Sequence, residues 1–302
     1  MILNMKNPCK LALLVSGACI LVAVVMSLCG FGMNYGLDFA GGLSMPYDLG
    51  ETASQPEVAA LLGSAYSVTI QGESKTEALV RMKSVGAEDI QDVQSAVTAK
   101  LQSAYPNAAP TGDVSYVGPV AGATLVKNAV TSVLIASALM LVYIAWRFDF
   151  HSGLAAVLAL LHDVALMLAF MVICRSVIEM NSSFIAAALT IVGYSINDTI
   201  VVFDRIRENA KNHPDMPRLD LVNLSVKESL GRTIMTTVTT LVTIAALYIL
   251  GVSAIKEFAL PIIVGVIAGT WSSNLISGYI WAWLEEKFPK KEKSDEDDED
   301  DD

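Results

Sequence analysis

The feature that most constrains this chain is a set of six long apolar stretches. A helix needs about 20 mostly apolar residues to cross about 30 Å of hydrocarbon. Six segments have that length and composition: residues 11–29, 129–146, 152–173, 181–203, 233–252 and 258–281. With 53% of its residues hydrophobic and 17% charged, the chain carries more apolar surface than one soluble core could bury. The sequence therefore predicts an α-helical polytopic membrane protein and excludes a soluble enzyme.

The distribution of Lys and Arg predicts the orientation, because cytoplasmic loops carry an excess of both. Thirteen of the 20 basic residues flank the spans on the side that holds both termini. The short loops on the other side hold only Arg175 and Lys256. We therefore expect residues 1–10 and 284–302 in the cytoplasm, with a first helix at 11–29 and a five-helix bundle at 123–283. The last eight residues are all acidic, which predicts a disordered tail. The chain has no excess of basic residues, so its charge does not indicate nucleic-acid binding.

The long segment between the first two spans, residues 33–118, is predicted to form an extracytoplasmic α+β domain. Strand patterns at 43–48, 66–71, 76–84 and 113–117 alternate with helical patterns at 55–62 and 89–105. This βαββαβ order is that of a ferredoxin-like split unit. Pro46 suits only an edge strand, which leaves the pairing of the first strand open. The domain lacks a catalytic set, so we expect a binding or docking module.

Polar side chains inside the spans are the candidate functional residues, because a charge at membrane depth costs about 2.5–3.5 kcal/mol. Helical spacing groups them on single faces, and one face of the fifth span also carries Thr236, Thr239, Thr240 and Thr243. We expect these faces to point inward and to line a shared hydrated interior. The residues assigned to it are His162, Asp163, Tyr194, Asn197, Asp198 and Arg232.

Two interpretations of this polar set remain open at the level of sequence. In the first, Asp198 is the titrating group of a proton or cation relay, and Arg232 is its electrostatic partner. In the second, the two residues form a fixed ion pair that specifies helix packing. The number of costly groups on facing spans favours the relay. His162 is explained equally well as a structural hydrogen-bond partner of Asp163.

Two other functional classes compete with the relay. An intramembrane aspartyl protease would use Asp163 and Asp198 as a proton-sharing pair, but neither follows the Gly-x-Gly that presenilin-like proteases carry. A passive assembly subunit whose ectodomain does the binding remains a candidate. The four cysteines have no metal-ligand spacing, so we expect no metal, no cofactor and no enzymatic chemistry. The charged residues after the fourth span are expected to be cytoplasmic anchors: Asp204, Arg205 and Arg207.

Several motifs resemble those of the SecD/SecF family of protein-export membrane proteins. The segment Gly36-Leu37-Asp38-Phe39-Ala40-Gly41-Gly42 is similar to the Gly-Leu-Asp-Phe-x-Gly-Gly signature of that family. Residues 193–209 resemble the fourth-span motif of the family nearly residue for residue. The segments at 162–164, 229–233 and 265–273 also fit, in the right order over residues 11–283.

The resemblance implies a six-span half of an RND-superfamily transporter in the bacterial cytoplasmic membrane. Such a half pairs with SecD, associates with the SecYEG channel and uses the proton motive force to help export polypeptides across the lipid bilayer. In the family, proton passage is tied to the residues that match Asp198 and Arg232. The residues that match the signature, and that we expect to couple the domain to the bundle, are Gly36, Asp38, Gly41 and Gly42. Coupling to Na⁺ instead of H⁺ is left open, because a carboxylate with hydroxyl neighbours suits either ion.

Overall fold

The computed structural model of the chain describes residues 6–71, 74–82, 89–176 and 178–288. In this part of the chain, six helices are long and apolar enough to cross a membrane. The predicted polytopic helical class with a small antiparallel domain is confirmed. The elements follow in chain order as α1 (Lys6–Leu28), α2 (Leu37–Ala40), β1 (Gly42–Asp48), α3 (Gln55–Leu62), β2 (Tyr66–Gln71), β3 (Glu77–Met82), α4 (Ile90–Ala104), β4 (Ala109–Pro110), β5 (Ser115–Val117), α5 (Pro119–Arg147), α6 (Phe150–Ile173), α7 (Ser182–Asn212), α8 (Arg218–Leu250), α9 (Ser253–Ser272), a π-helical segment (Ser273–Ser277) and α10 (Gly278–Lys287).

Helix α5 begins at Pro119 rather than at 129, and two further helices, α7 and α8, extend well beyond the apolar runs that predict them. α7 continues past residue 203 to Asn212, and α8 begins at Arg218 rather than at 233. The extensions pack against each other through the buried side chains of Ile206, Leu221 and Val226. Hydropathy detects only the part of a helix that lies in hydrocarbon, so it missed these amphipathic ends. The predicted acidic tail and the end of the 76–84 strand lie outside the described residues.

The small domain is an antiparallel sheet covered on one face by α3 and α4. The strand order is β2-β3-β1, with β4 and β5 both pairing along the other edge of β1. Val58 and Leu101 on the two helices close the core over Tyr47, which is fully buried. The Tyr47 hydroxyl lies 2.9 Å from that of Thr98, and burial raises the pKa of Tyr47. The order matches the predicted ferredoxin-like unit; the two-residue β4 was not predicted.

Pro46 lies in the middle of the sheet, although proline is expected at an edge. Its strand pairs with β3 on one side, where Pro46 is opposite Leu79. On the other side β5 pairs with residues 42–44 and β4 with residues 47–48. Pro46 therefore falls between the two short strands, and its carbonyl accepts a hydrogen bond from Thr111. The missing N–H breaks no ladder bond because the neighbouring strand is interrupted at this position.

The bundle has two different ends. At the domain end, the α6–α7 connection meets the small domain, and the Met180 N–H donates to the Asn34 carbonyl. At the opposite end, His151 on α6 contacts Glu285 on α10 at 2.8 Å. Between them α9 lies directly against α7, because a Cβ on Gly265 would fall 2.4 Å from Ile191 Cγ1. This close approach of α7 and α9 positions the polar groups of the site.

Candidate functional site

Asp198 lies in the interior of the bundle, with 4% of its surface exposed. Val202, one turn further along α7, lies on the same face and is buried in the core. Thr233 of α8 is a neighbour of the carboxylate, and its hydroxyl donates to the Ser229 carbonyl of its own helix at 3.1 Å. The Oδ2 atom of Asp198 is buried and has no hydrogen-bond partner among the described residues. A carboxylate with an open acceptor in a dry interior can take up a proton or a small cation.

A layer of hydroxyl groups lies one helical turn from Asp198 towards the domain end. The Tyr194 hydroxyl donates to Thr237 Oγ1 over 3.4 Å, and Thr237 Oγ1 lies 2.7 Å from Thr270 Oγ1. These three residues join α7, α8 and α9. Tyr194 was predicted to support the site, and the structure places it one turn away from Asp198 rather than against it.

Asp163 forms a second polar cluster and is completely buried. Its Oδ2 accepts hydrogen bonds from Ser195 Oγ at 2.5 Å and from Ser272 Oγ at 2.8 Å. Its Oδ1 lies 3.1 Å from His162 Nδ1. Both oxygens are therefore engaged, and the bonds tie α6 to α7 and α9. His162 is placed as the hydrogen-bond partner of Asp163, and its Nε2 is buried without a partner in the described chain.

Arg232 and Asn197 do not meet Asp198 within this chain. Both residues are exposed, and Arg232 forms no ion pair with any described residue. The face of α8 that points inward carries Thr233 and Thr237, whereas Thr236 and Thr239 are exposed. The expectation that the whole polar face of α8 points inward, with Arg232 against Asp198, is wrong for the single chain. Neighbouring helix positions differ by about 100°, so burial of Thr233 turns Arg232 away.

The glycine motif after α1, residues 36–42, packs against the connection between α6 and α7. The N–H of Gly36 donates to the Met180 carbonyl at 2.8 Å, and a Cβ on Gly36 would fall 3.2 Å from that oxygen. The Asp38 carboxylate accepts the N–H of Ser182, the first residue of α7, at 2.9 Å. Gly41 and Gly42 have φ values of 69° and 123°, which side chains other than glycine rarely adopt. The motif therefore holds the domain against the start of the helix that carries Asp198.

Two further side-chain contacts strengthen this junction. Arg81 on β3 forms a salt bridge with Glu179, which precedes α7. The Asn181 side chain caps α7 by accepting the N–H of Phe184, and its amide donates to Glu257 at the start of α9. The two helices that approach closely in the core are thus also linked where they meet the domain.

The predicted anchor residues form ionic contacts at the opposite end. Asp204 lies 3.7 Å from Arg147 at the end of α5. Arg205 contacts Glu208 at 2.5 Å and, across to α8, Glu228 at 2.8 Å. Arg207 donates to the Arg147 carbonyl at 3.3 Å. All three residues therefore also connect helices, a role that the sequence alone did not indicate.

Sequence reasoning missed the hydroxyl and amide groups that surround the two aspartates. Serine and threonine in helices usually bond to the carbonyl four residues back, so their presence in a span is a weak signal. Only the tertiary arrangement shows which of them reach another helix. Among the described residues no three His, Cys, Asp or Glu side chains gather as metal ligands. The residues missed are Ser195, Thr233, Thr237, Thr270, Ser272 and Asn274.

Comparison with protein families supports the interpretation of the motifs. The family model described as the C-terminal part of the protein export membrane protein SecD/SecF matches residues 96–287. The model of the SecD/SecF GG motif matches residues 27–45. Together they include both the glycine motif and the helices that carry Asp163 and Asp198.

Individual relatives match over nearly the whole chain. The protein translocase subunit SecF of Rickettsia bellii is 36% identical over 278 residues, which are 89% of this chain and 91% of the relative. The Rickettsia typhi protein of the same name is 36% identical over 86% of this chain and 85% of its own. A crystal structure of SecDF from Thermus thermophilus, described as a translocon-associated membrane protein, superposes with a TM-score of 0.81 at 34% identity. A second structure, of SecDF in a super-membrane-facing form, gives 0.67 at 33%. The match covers 95% of this chain but only 39% of each SecDF chain.

Proposed function

The chain belongs to the SecD/SecF family of protein-export membrane proteins, and from this premise we propose that it is the SecF-type half of an ion-driven export complex. In this proposal, protons that flow down their gradient load and unload Asp198. The resulting helix movements reach the extracytoplasmic domain, which acts on the exported polypeptide. The work is electrostatic and mechanical, with no covalent step and no cofactor.

The burial of Asp198 is the observation that carries the ion-coupled part of the proposal. An ionised carboxylate in a dry interior is strongly disfavoured unless it is paired. Asp198 has a hydroxyl neighbour in Thr233, but no described cation and no partner for Oδ2. A transient proton or cation explains why such a costly group is tolerated at this position.

A cavity at the opposite end of the bundle supports the same proposal. A cavity of about 940 Å³ opens at the opposite end of the bundle and is lined by Phe148, Ser152, Phe203 and Trp281, among others. Phe203 lies five residues beyond Asp198 on α7, a rise of about 7.5 Å along the helix. A proton released from Asp198 towards this end would therefore cross little more than one helical turn before it reaches the cavity.

A partner in the membrane is proposed from the exposed polar face of the bundle. Arg232, Thr236, Thr239 and Asn197 are exposed on helices that cross the membrane. Lipid does not solvate such groups, and membrane helices bury polar residues against other helices. The match covers 39% of the SecDF chain, so the rest of that chain is long enough to hold a second set of membrane helices. We assign that covering role to a SecD chain, with Arg232 directed at an acidic or polar group of SecD.

The orientation and the remaining partners follow from the same proposal. The excess of Lys and Arg at the opposite end favours a cytoplasmic location for that end and for both termini. The small domain then lies outside the bacterial cytoplasmic membrane, where exported polypeptides emerge. SecYEG is the proposed source of those polypeptides, because the Thermus SecDF protein is described as translocon-associated.

Substitution of Asp198 tests the proposal directly. The chain and its SecD partner are reconstituted with SecYEG in vesicles, and polypeptide transport is measured with and without a proton gradient. Asp198→Asn should abolish the gradient-dependent part of transport, because the amide cannot carry a proton. Asp204→Asn is the matched control on the same helix, since Asp204 is exposed and its contact with Arg147 is weak. This control should keep full stimulation.

Two outcomes would contradict parts of the proposal. Full stimulation by the gradient in the Asp198→Asn variant would remove the carrier role. Transport that never responds to an ion gradient would favour the passive binding subunit instead. A response to a Na⁺ gradient but not to a proton gradient would replace the proton with Na⁺ at the same site.

A further inference from the structure

Asn274 lies in the π-helical segment of the last span and has an unusual hydrogen-bonding state. The residue is 7% exposed, and its Oδ1 is buried without a partner among the described residues. Its amide Nδ2 donates to the Thr270 carbonyl at 2.8 Å. That bond fixes the orientation of the amide, because the flipped form would place Oδ1 against another acceptor. An unsatisfied amide oxygen is therefore built into the interior of the bundle.

The helix geometry places Asn274 beside Asp198. Thr199 Oγ1 on α7 lies 3.0 Å from Ser273 Oγ, so these two residues face each other at the same level. Both helices run from the domain end to the opposite end. Asp198 is one residue before Thr199, whereas Asn274 is one residue after Ser273. A step of about 100° in opposite directions on two facing parallel helices turns both side chains to the same side, towards α8.

The layer of hydroxyl groups one helical turn towards the domain end gives an independent check of this placement. Tyr194, Thr237 and Thr270 are joined by hydrogen bonds across α7, α8 and α9. One helical turn towards the opposite end, the same three helices present Asp198, Thr233 and Asn274. Thr233 is a neighbour of Asp198, and the Asn274 amide donates to the carbonyl of Thr270 in the layer before. The second layer thus repeats the first, with a carboxylate and an amide in place of two hydroxyl-bearing residues.

Two buried acceptor atoms, Asp198 Oδ2 and Asn274 Oδ1, share this second layer, and neither has a donor in the described chain. We propose that Asn274 is the acceptor that holds the proton of Asp198: the protonated carboxyl donates its O–H to Asn274 Oδ1 and forms an occluded, uncharged state of the bundle. A single proton then satisfies both atoms. The inference rests on the proposed function and names a further positioning residue for it.

The proton balance of the site is simple. A proton enters from the aqueous phase with the higher proton activity, binds Asp198 Oδ2 and leaves to the other phase. Asn274 neither gains nor loses a proton. Its Oδ1 stabilises the neutral carboxyl by accepting the hydrogen bond and destabilises the carboxylate by facing it with a partial negative charge. The helices packed against α7 carry the following charged or histidine side chains: Lys127 and Arg147 on α5; His151, His162 and Asp163 on α6; Arg218, Asp220, Lys227, Glu228 and Arg232 on α8; and Lys256 and Glu257 on α9.

The test uses infrared spectroscopy on the full chain in complex with its SecD partner. The C=O band of the protonated carboxylic acid is followed as the pH is stepped, and it is assigned by its loss in Asp198→Asn. Asn274→Leu should lower the pH of half-titration by about one unit, a tenfold weaker proton affinity. Asn274→Asp should raise it, because two adjacent carboxyl groups share a proton strongly. A role in folding alone would not move the titration in opposite directions for these two variants.

Ser277→Ala is the matched control for the Asn274 variants. Ser277 is equally buried in the same segment, but its hydroxyl donates only to the Ser273 carbonyl of its own helix. It should titrate like the unchanged protein. An unchanged midpoint in both Asn274 variants would overturn the inference and leave the proposed function intact, whereas a wild-type protein without an Asp198 band at any pH would overturn both. Loss of the band on addition of Na⁺ in the wild type, but not in Asn274→Leu, would assign the two oxygens to Na⁺ instead.

Discussion

At the scale of single residues, this bundle depends on glycines that let helices approach and on small polar groups that meet across the contact. A Cβ on Gly269 would fall 3.1 Å from Ser195 Cβ. The hydroxyl of Ser195 in turn donates a hydrogen bond to the carboxylate of Asp163. The close approach therefore brings a serine within reach of a carboxylate on a third helix. In membranes this combination of small residues and interhelical hydrogen bonds replaces the hydrophobic effect as the source of helix association.

Gly265→Ala tests the importance of this approach. The added methyl would lie 2.4 Å from Ile191 Cγ1, so α9 or Ile191 must move. We expect a loss of about 1–3 kcal/mol in stability, as for other overpacked cores, measured by thermal unfolding in detergent. Partial rescue by Ile191→Ala, which removes all three of the clashing side-chain atoms, would identify the clash as the cause. Gly193→Ala on α7 is the control, because nothing lies within 4 Å of its Cβ position; a similar loss there would refute the explanation.

At the scale of elements, the important joint is the one between the glycine motif and the start of α7. Asp38 supplies the first N–H of this helix with an acceptor, and negative charge at a helix N-terminus is favoured by the helix dipole. Arg81 reaches the same connection from β3 through Glu179. Any rotation of the domain must therefore displace the start of α7 or break the hydrogen bond of Asp38 and the salt bridge of Arg81.

Swapping the charges of the Arg81–Glu179 pair tests this contact between the domain and the start of α7. Arg81→Glu or Glu179→Arg alone should each cost about 1 kcal/mol by removing a partly exposed salt bridge and adding like charges. Hydrogen exchange of the first turn of α7 and of residues 33–42 should then increase. The double variant, Arg81→Glu with Glu179→Arg, restores opposite charges and should restore the protection of these amides against hydrogen exchange. Equal exchange in all four proteins would show that the pair does not hold the domain.

A second variant isolates the contact between Asp38 and the first N–H of α7. Asp38→Ala should weaken the start of the helix by about 1 kcal/mol, because it removes a charged acceptor from the helix N-terminus while the Asn181 cap stays in place. Asp38→Asn keeps an acceptor oxygen and should lose less, mainly the charge term. Exchange of the Ser182 N–H, followed by NMR or mass spectrometry, reports the difference. Faster exchange in Asp38→Asn than in Asp38→Ala would contradict this role.

At the scale of the whole molecule, this chain buries one part of its polar set and exposes the rest. Asp163 and Asp198 are buried by its own helices, whereas Arg232 and the outer threonines of α8 are exposed. The inner polar groups are enclosed by this chain's own helices, whereas the outer ones are those that we propose a second set of helices covers. This division explains why the expected pair of Asp198 and Arg232 does not form here.

Arg232→Gln tests the assembly. It should lower the amount of SecD chain that co-purifies by about tenfold, equivalent to about 1.4 kcal/mol for one lost charge-assisted contact. Arg218→Gln changes an equally basic residue of α8 outside the predicted hydrocarbon and should leave co-purification unchanged. Undiminished recovery of SecD with Arg232→Gln would mean that the exposed polar face is not the interface.

The sequence by itself determined the six spans, the βαββαβ domain and the identity of the two buried aspartates, because hydropathy, periodicity and the cost of charge in lipid act locally along the chain. The roles of Ser195, Thr233 and Asn274 were decided only by the tertiary structure. Each is an ordinary polar residue in a helix, and its function depends on which neighbouring helix it faces. A rotation of about 100° separates a buried Thr233 from an exposed Arg232. Only packing between helices fixes that rotation, as where Thr237 on the buried face of α8 lies 2.7 Å from Thr270 of α9.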